Sequence, residues 1–456
     1  MGKITRRELL AGMGAMGLLG MNHAMAAGGS GVDKPNIIFI LMDDLGWMDL
    51  SCYGSKFYET PNIDRLASQG MRFTSAYAAC PVCSPTRASI LTGKYPARLG
   101  LTDWIPGHKQ ENPKLLTPEF YQELPLRETT IAETLKSAGY VSASIGKWHL
   151  GREPYWPEKQ GFDLNFGGTH QGNQPSYFYP YGINNIKTGS KGEYLTDRLT
   201  SEAEKFIEAN KDRPFFLYLS HYAVHTPLAG KAEVVEKYKR KIKPGMDQNN
   251  PVYAAVIESV DESVGRIMAK LDELKIADNT VFIFFSDNGG LADVTSNAPL
   301  RLGKGHLYEG GVREPLIVRW PGKVKAGTVC DTPMISTDFY PTMLEMAGLK
   351  GSVPDGVSIV PLLRQKGGTG QKTFYWHYPH YHRTTPSGAI RDGDWKLIEF
   401  FEDNHVELYN LKDDLSETTD LAARQPEKAQ ELRKKLADWR KSVNAAMPTP
   451  NPEYKP

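Results

Sequence analysis

The run Cys83-Ser84-Pro85-Thr86-Arg87, continued by Ala88-Ser89-Ile90-Leu91-Thr92-Gly93, puts a polarisable nucleophile on a constrained turn at a helix start. A guanidinium comes one helical turn later on the same face. An anion near residue 83 would meet backbone N–H groups and a fixed positive charge together. A buried structural thiol before an ordinary helix is the competing reading. Other chemistry-bearing residues come directly after apolar runs: Asp43-Asp44 after 36–42, Gly146-Lys147-Trp148-His149 after 141–145, His221 and His225 after 215–219, and Asp287-Asn288 after 280–285. Taken singly, each can be read as a helix cap or a satisfied core histidine. Asp43, Asp44, Asp287 and Asn288 offer only oxygen ligands and three negative charges, which suits Ca2+ or Mg2+ better than zinc, and the irregular set leans towards the larger Ca2+. Lys147, Arg87, and Lys304 in Gly303-Lys304-Gly305-His306 add cations, a cluster that is costly unless an anion occupies it. The combination fits a tetrahedral oxyanion ester, with His149 and His225 suited to proton transfer because imidazole titrates near neutral pH.

These groups can act together only if the strands that precede them lie side by side. Short β-branched and aromatic runs alternate with amphipathic stretches, the rhythm of an α/β fold with a mostly parallel mixed sheet flanked by helices. Strands are expected at 36–42, 141–145, 215–219, 280–285 and 315–320, and helices at 62–69, 130–138, 196–210 and 252–274. In open α/β sheets the ligand crevice lies at the carboxyl ends of the strands, so four strand ends would deliver their groups to one rim. The composition changes after about residue 350, where Val353-Pro354-Asp355-Gly356 and Gly367-Gly368-Thr369-Gly370 read as linkers. Short strands of an antiparallel sheet are expected at 373–378, 388–392, 395–401 and 406–410, then a helix over 426–443 with Leu432, Leu436 and Trp439 on one stripe. The expected organisation is a large domain over 34–350, a smaller C-terminal α+β subdomain over 371–447, and a disordered or surface-pinned tail over 448–456.

With 456 residues the chain can bury an ample core without disulfide staples. Its 54 basic and 53 acidic side chains show no basic bias, which argues against a nucleic-acid partner. Four cysteines are too few for a disulfide scaffold. Twenty-two tyrosines and eight tryptophans are generous, as sugar-binding surfaces often are, although core packing accounts for most of them. Residues 1–27 read as a targeting segment: Arg6-Arg7 precede Glu8-Leu9-Leu10, an apolar stretch runs to Met21, and Ala24-Met25-Ala26 fits a small-x-small cleavage site. The paired arginines resemble a twin-arginine signal, which predicts a periplasmic or extracellular protein. No later run reaches membrane-spanning length, so stable membrane insertion is not expected.

The chain resembles the formylglycine-dependent (type I) sulfatases of the alkaline phosphatase superfamily over most of its length beyond residue 27. Cys83-x-Pro85-x-Arg87 with Ala88-Ser89-x-Leu91-Thr92-Gly93 is that family's signature, and Gly146-Lys147-Trp148-His149-Leu150-Gly151 is its second. Ala389-Ile390-Arg391-Asp392-Gly393-Asp394-Trp395-Lys396-Leu397 and Glu407-Leu408-Tyr409-Asn410-Leu411 resemble the family's small C-terminal domain. The resemblance implies that a formylglycine-generating enzyme oxidises Cys83 to Cα-formylglycine, whose hydrate is the nucleophile. It implies that Arg87 holds this group and that His149 contacts its hydroxyls. Asp43, Asp44, Asp287 and Asn288, with the modified Cys83, would hold a divalent cation, Ca2+ before Mg2+, and Lys147, His225 and Lys304 would grip the sulfate. The expected reaction is hydrolysis of a sulfate ester, with His225 protonating the leaving alkoxide. Export, aromatic content and the rim candidates Trp104, Trp156, His170, Gln171, His377, His380, His382 and Arg383 suit a sulfated carbohydrate. The alternatives are an arylsulfatase, a phosphoester or phosphonate-ester hydrolase on the same scaffold, and a non-catalytic calcium- or glycan-binding protein.

Overall fold

The computed structural model describes residues 34–351 and 353–455, which pack as one compact unit. The expected targeting segment, residues 1–27, lies outside the described residues. In chain order the strands are β1 (Asn36–Met42), β2 (Met71–Tyr77), β3 (Leu115–Leu116), β4 (Val141–Gly146), β5 (Leu164–Phe166), β6 (Phe215–Ser220), β7 (Thr280–Ser286), β8 (Arg313–Arg319), β9 (Thr328–Cys330), β10 (Met334–Ile335), β11 (Thr373–Tyr378), β12 (Ser387–Asp392), β13 (Trp395–Phe400), β14 (Val406–Asn410) and β15 (Thr449–Pro450). Nine of them form one sheet in the order β10–β2–β8–β7–β1–β6–β4–β5, with β9 also beside β2. Only β8 runs against the others, so the carboxyl ends of the remaining strands share one edge.

The central strands are apolar throughout because both faces of the sheet are covered. Alternation sends Ile38, Ile40 and Met42 of β1 into one core and Ile37, Phe39 and Leu41 into the other. Helices Pro61–Gln69, Leu195–Ala209 and Pro251–Glu273 close the first core, and helices Cys83–Thr92, Ile131–Ser137 and Phe339–Met346 the second. Local sequence fixes their starts. Asn250 accepts hydrogen bonds from the N–H groups of Val252 and Tyr253 ahead of Pro251, and Thr130 with Glu133 forms a reciprocal capping box. Strand β2 is absent from the strands expected from sequence. Its Met-Arg-Phe-Thr-Ser-Ala-Tyr run is mixed in polarity and its pairing with β8 is irregular between Phe73 and Ala76, so it carries little strand signal.

The residues expected to form the C-terminal subdomain build a second, antiparallel sheet, β11–β12–β13–β14. One face meets the large sheet through a core that includes Tyr77, Phe374, Trp376 and Ile398. The other is covered by helix Pro426–Ser442, whose Leu432 and Leu436 meet Ile390, Leu397 and Leu408 while Trp439 stacks on Tyr375 at 4.7 Å. A fully buried lysine, Lys396, bridges Glu309 at 2.8 Å and Glu417 at 2.9 Å across this junction. The tail is pinned, since β15 pairs with β3 at Thr449↔Leu116. Among the described residues, no helix is long and apolar enough to cross a membrane.

Candidate active site

Register brings the chemistry-bearing residues together. Met42 at the end of β1 lies opposite Ser286 of β7, Leu41 lies opposite Ser220 of β6, and Ser220 lies opposite Gly146 of β4. The next residues along these strands therefore emerge side by side, locked by Asp287 N–H donating to Met42 O (3.1 Å) and Lys147 N–H to Ser220 O (2.7 Å). Helix Cys83–Thr92 enters the same edge after β2, its first turn tied by Thr86 Oγ1, which bonds both N–H and C=O of Cys80. Pro85 is tolerated because the first-turn N–H groups have no partner within the helix. Residues of this helix are buried all round, so it is an interior helix that presents its first residue, Cys83, to the cavity.

Asp43, Asp44, Asp287, Asn288, Arg87 and Lys147 are almost wholly inaccessible. Arg87 Nε donates to Asp287 Oδ2 at 2.9 Å, its Nη2 lies 2.7 Å from the same oxygen, and its Nη1 donates to Ser220 Oγ and to Lys147 O. Lys147 Nζ lies 2.7 Å from Asp43, and Lys304 Nζ 2.7 Å from Asp44. Three carboxylates thus face three cations. Burial raises the Asp43 carboxyl and takes that of Asp287 up to about 6, against the pull of Lys147 and Arg87. For Asp44, Lys304 and His225 overcome burial and hold the carboxyl below the usual range. Divalent metal fits this donor set. Asp43 Oδ1 and Asn288 Oδ1 are buried without a hydrogen-bond partner, and Asp43, Asp44 and His225 offer ligand atoms within 4.8 Å of one another.

Cys83 Sγ lies 3.3 Å from His149 Nδ1. The other ring nitrogen of His149 points at the carbonyl of Ile105, which fixes the proton on Nε2 and leaves Nδ1 as the acceptor facing residue 83. Burial, then Lys147, keeps His149 neutral. Burial also raises the Cys83 thiol despite Lys147 and Lys304, so the unmodified side chain is a poor source of thiolate. His225 is the mirror case: Nδ1 faces Thr226 O, Nε2 lies 3.2 Å from Lys304 Nζ, and burial with Lys304 takes it down to about 4. Its carbonyl is held by Gln174 and Tyr177. Ser220, Gln174, Tyr177 and Ser84, whose hydroxyl donates to His149 O, were not singled out from sequence. Their types point to no chemistry by themselves, and their roles come from the contacts that the fold brings about.

A cavity of about 420 Å³ opens over Cys83, Asp44, His149, His225 and Lys304. Trp104, Ile105, His170, Gln171, His382 and Arg383 are among the residues on its wall. His377 and His380, expected at this rim, are elsewhere. His377 is buried against Ala446 O at 2.9 Å, and His380 against Thr102 Oγ1 at 2.8 Å with its ring edge on Phe120. The end of β11 and the residues just after it pack these two inwards, and the chain reaches the cavity only at 382–383. Trp156 does not line the cavity either, and His221 turns away to Ser263. All four cysteines are free.

Residues 35–349 match the model of the Sulfatase family, more than half of the chain. The chain belongs to the sulfatase family. Residues 302–443 match a second model, described as N-sulphoglucosamine sulphohydrolase, C-terminal. A sulfatase from Formosa agariphila is 36% identical, covering 90% of each chain, and the N-acetylgalactosamine-6-sulfatase of Homo sapiens is 37% identical over 76% of this chain and 70% of its own. Among solved structures, Ps i-CgsB superposes with a TM-score of 0.77 at 32% identity, covering 89% of this chain and 92% of that one. Another, solved with its substrate D-glucosamine-2-N,6-O-disulfate, gives 0.72 at 26% identity, covering 90% and 98%. The enzyme is a sulfuric ester hydrolase with an alkaline phosphatase-like fold. Sulfatases generally use a formylglycine and a divalent metal.

Proposed function

We propose that this sulfatase removes sulfate from a sulfated carbohydrate, with residue 83 acting as Cα-formylglycine and Asp43, Asp44, Asp287 and Asn288 holding Ca2+. The observation that carries the reading is the pairing of Cys83 Sγ with the acceptor nitrogen of His149 at the floor of a cavity that Lys304 lines, with Lys147 and Arg87 buried behind it against Asp43 and Asp287. The metal and the formylglycine hydrate together supply, when present, an ionised oxygen for attack on sulfur and a second hydroxyl through which sulfate can leave. Arg87 orients the group at residue 83 and stays charged between Asp287 and Asp43. Lys147 and Lys304 offset the charge on the sulfuryl oxygens. Lys304 and His225 share one hydrogen bond at the cavity floor, so the pair holds the proton a sugar alkoxide needs on departure. His149 Nδ1 is placed to take the proton of the hydroxyl at residue 83.

Charge favours a monoanionic ester. The three carboxylates and three cations cancel, so a divalent cation calls for two negative charges. A sulfate monoester and one ionised oxygen of residue 83 supply them, whereas a phosphate monoester dianion would exceed them. The carbohydrate assignment is supported by relatives named for sugar sulfates and by solved neighbours with sugar ligands, including Ps i-CgsB with κ-ι-κ-neocarrahexaose. The remaining parts of the reading are maturation by a formylglycine-generating enzyme, twin-arginine export of residues beyond 27 to the periplasm or medium, and a catalytic domain (34–350) with a C-terminal subdomain (371–447). The test is free sulfate released from defined sulfated mono- and oligosaccharides, with phosphate mono- and diesters in parallel. Cys83→Ala should abolish release, and release undiminished in that variant would sink the mechanism.

A further inference from the structure

Away from the groups assigned to metal and sulfate, the mouth of the cavity carries polar groups that lack partners. Trp104 Nε1 and His382 Nδ1 are buried on its wall without a hydrogen-bond partner, an arrangement that costs free energy until a ligand supplies one. Arg383 stands beside them with its side chain 35% exposed, and a single N–H, at 2.9 Å from Asp293 Oδ2, is engaged. The other guanidinium donors are free for a planar, two-oxygen acceptor. The His382–Arg383 turn sits directly on the strand-end loop that carries Lys304. A Cβ at Gly305, which has φ +87, would fall 2.9 Å from His382 Nδ1 and 3.1 Å from Arg383 Cβ. Burial first, then Lys304, Arg383 and His108, takes the His382 imidazole down to about 4 and keeps it neutral. Among the described residues lining the cavity, Asp44 at the floor is the one carboxylate. Trp104 Nε1 and the spare N–H groups of Arg383 are donors that an anionic oxygen would satisfy, while Gln171 and Asn173 on the same wall can serve neutral hydroxyls.

We infer that the mouth is a second anion subsite: Arg383, steadied by Asp293 and flanked by Trp104 and His382, takes a sulfate or carboxylate carried by the substrate in addition to the scissile sulfate. The inference rests on the sulfatase reading of the cavity floor and narrows its substrates to carbohydrates with two or more anionic groups close together.

The test compares three substrates on the matured enzyme: a monosulfated hexosamine, the same sugar with two sulfates, and a disaccharide joining the monosulfated hexosamine to a uronate. The readout is the ratio of kcat/KM for each two-anion substrate to that for the first. Wild type should favour at least one of them about 10- to 100-fold, chiefly through KM, because a hydrogen bond to a charged group contributes on that scale. Preference for the disulfate identifies sulfate as the second anion, and preference for the uronate identifies carboxylate. Arg383→Ala should collapse the ratio towards one, Arg383→Lys should keep part of it, and Trp104→Phe should lower it less than Arg383→Ala. Far-UV circular dichroism checks that each variant folds. Equal kcat/KM on all three substrates, or a ratio unchanged in Arg383→Ala, overturns the subsite while leaving the sulfatase reading intact. Absence of sulfate release from every substrate would instead strike the reading beneath it.

Discussion

Replacing Gly146 by alanine should cripple turnover without unfolding the enzyme. Gly146 closes β4 with φ +101, a conformation that costs a residue with a side chain about 1–3 kcal/mol. Its added Cβ would lie 1.9 Å from Ser220 O, where an ordinary contact is at least 3.4 Å. The strand ends must therefore part by about 1.5 Å, or by less if strain is shared along both chains. That carbonyl is also the acceptor for Lys147 N–H at 2.7 Å, so parting them loses a bond worth about 1 kcal/mol. The residues displaced are Lys147, one step on, which holds Asp43, and His149, three steps on, which faces Cys83 in the cavity. A misplacement of about 1 Å costs on the order of 100-fold in rate, which sets the expected loss in kcat/KM. Thermal unfolding should show a loss of about 2–4 kcal/mol with circular dichroism unchanged. Sulfate release by the matured variant is the assay. Wild-type turnover in Gly146→Ala would refute the claim that strand-end register positions the site.

Lys396→Met should destabilise the enzyme by about 3–5 kcal/mol, because it leaves Glu309 and Glu417 buried against each other without their shared cation. At roughly 2 cal/mol/K per residue that is a fall of about 3–6 °C in Tm, and adding Glu417→Gln should restore part of it. Asp338, at the start of helix Phe339–Met346, accepts N–H groups from Ile335 and Val357, and burial raises it to about 7. An acid whose pKa is higher folded than unfolded contributes stability fully below its unfolded value and loses it as pH rises from there through the folded value. Tm should therefore fall between about pH 4 and about pH 7, and the fall should be shallower in Asp338→Asn. Dialysis against a chelator should abolish sulfate release and lower Tm, with Ca2+ restoring both better than Mg2+ at equal concentration. Restoration by neither ion would contradict the proposed metal set.

The central strands and the rim were legible because both depend on local pattern. A wholly apolar run such as 37–42 fits a strand buried on both faces, and the residues directly after each such run fall at the carboxyl edge of the sheet. The C-terminal strands and the helix from 426 were equally plain, being alternating or striped. Strand β2 was not, since its run is mixed in polarity and its pairing depends on the distant β8. Residues that act through geometry rather than type left no trace either: the Ile105 carbonyl that sets the His149 tautomer, and Ser220, which meets Arg87 only because β6 ends in register with β4. His377 and His380 show the opposite error. A His-Tyr-rich run looks chemical, yet most of it is buried in β11 and against Thr102 and Phe120, and only His382 and Arg383 emerge at the cavity.

The central claim is that residue 83 works as an aldehyde hydrate and not as a thiol. The most direct measurement is the mass of the peptide carrying residue 83, taken on preparations made with and without a formylglycine-generating enzyme, alongside sulfate release from the same samples. Activity should rise in proportion to the fraction in which the thiol has been replaced by the aldehyde. Full activity in a preparation where residue 83 is entirely cysteine would contradict the account.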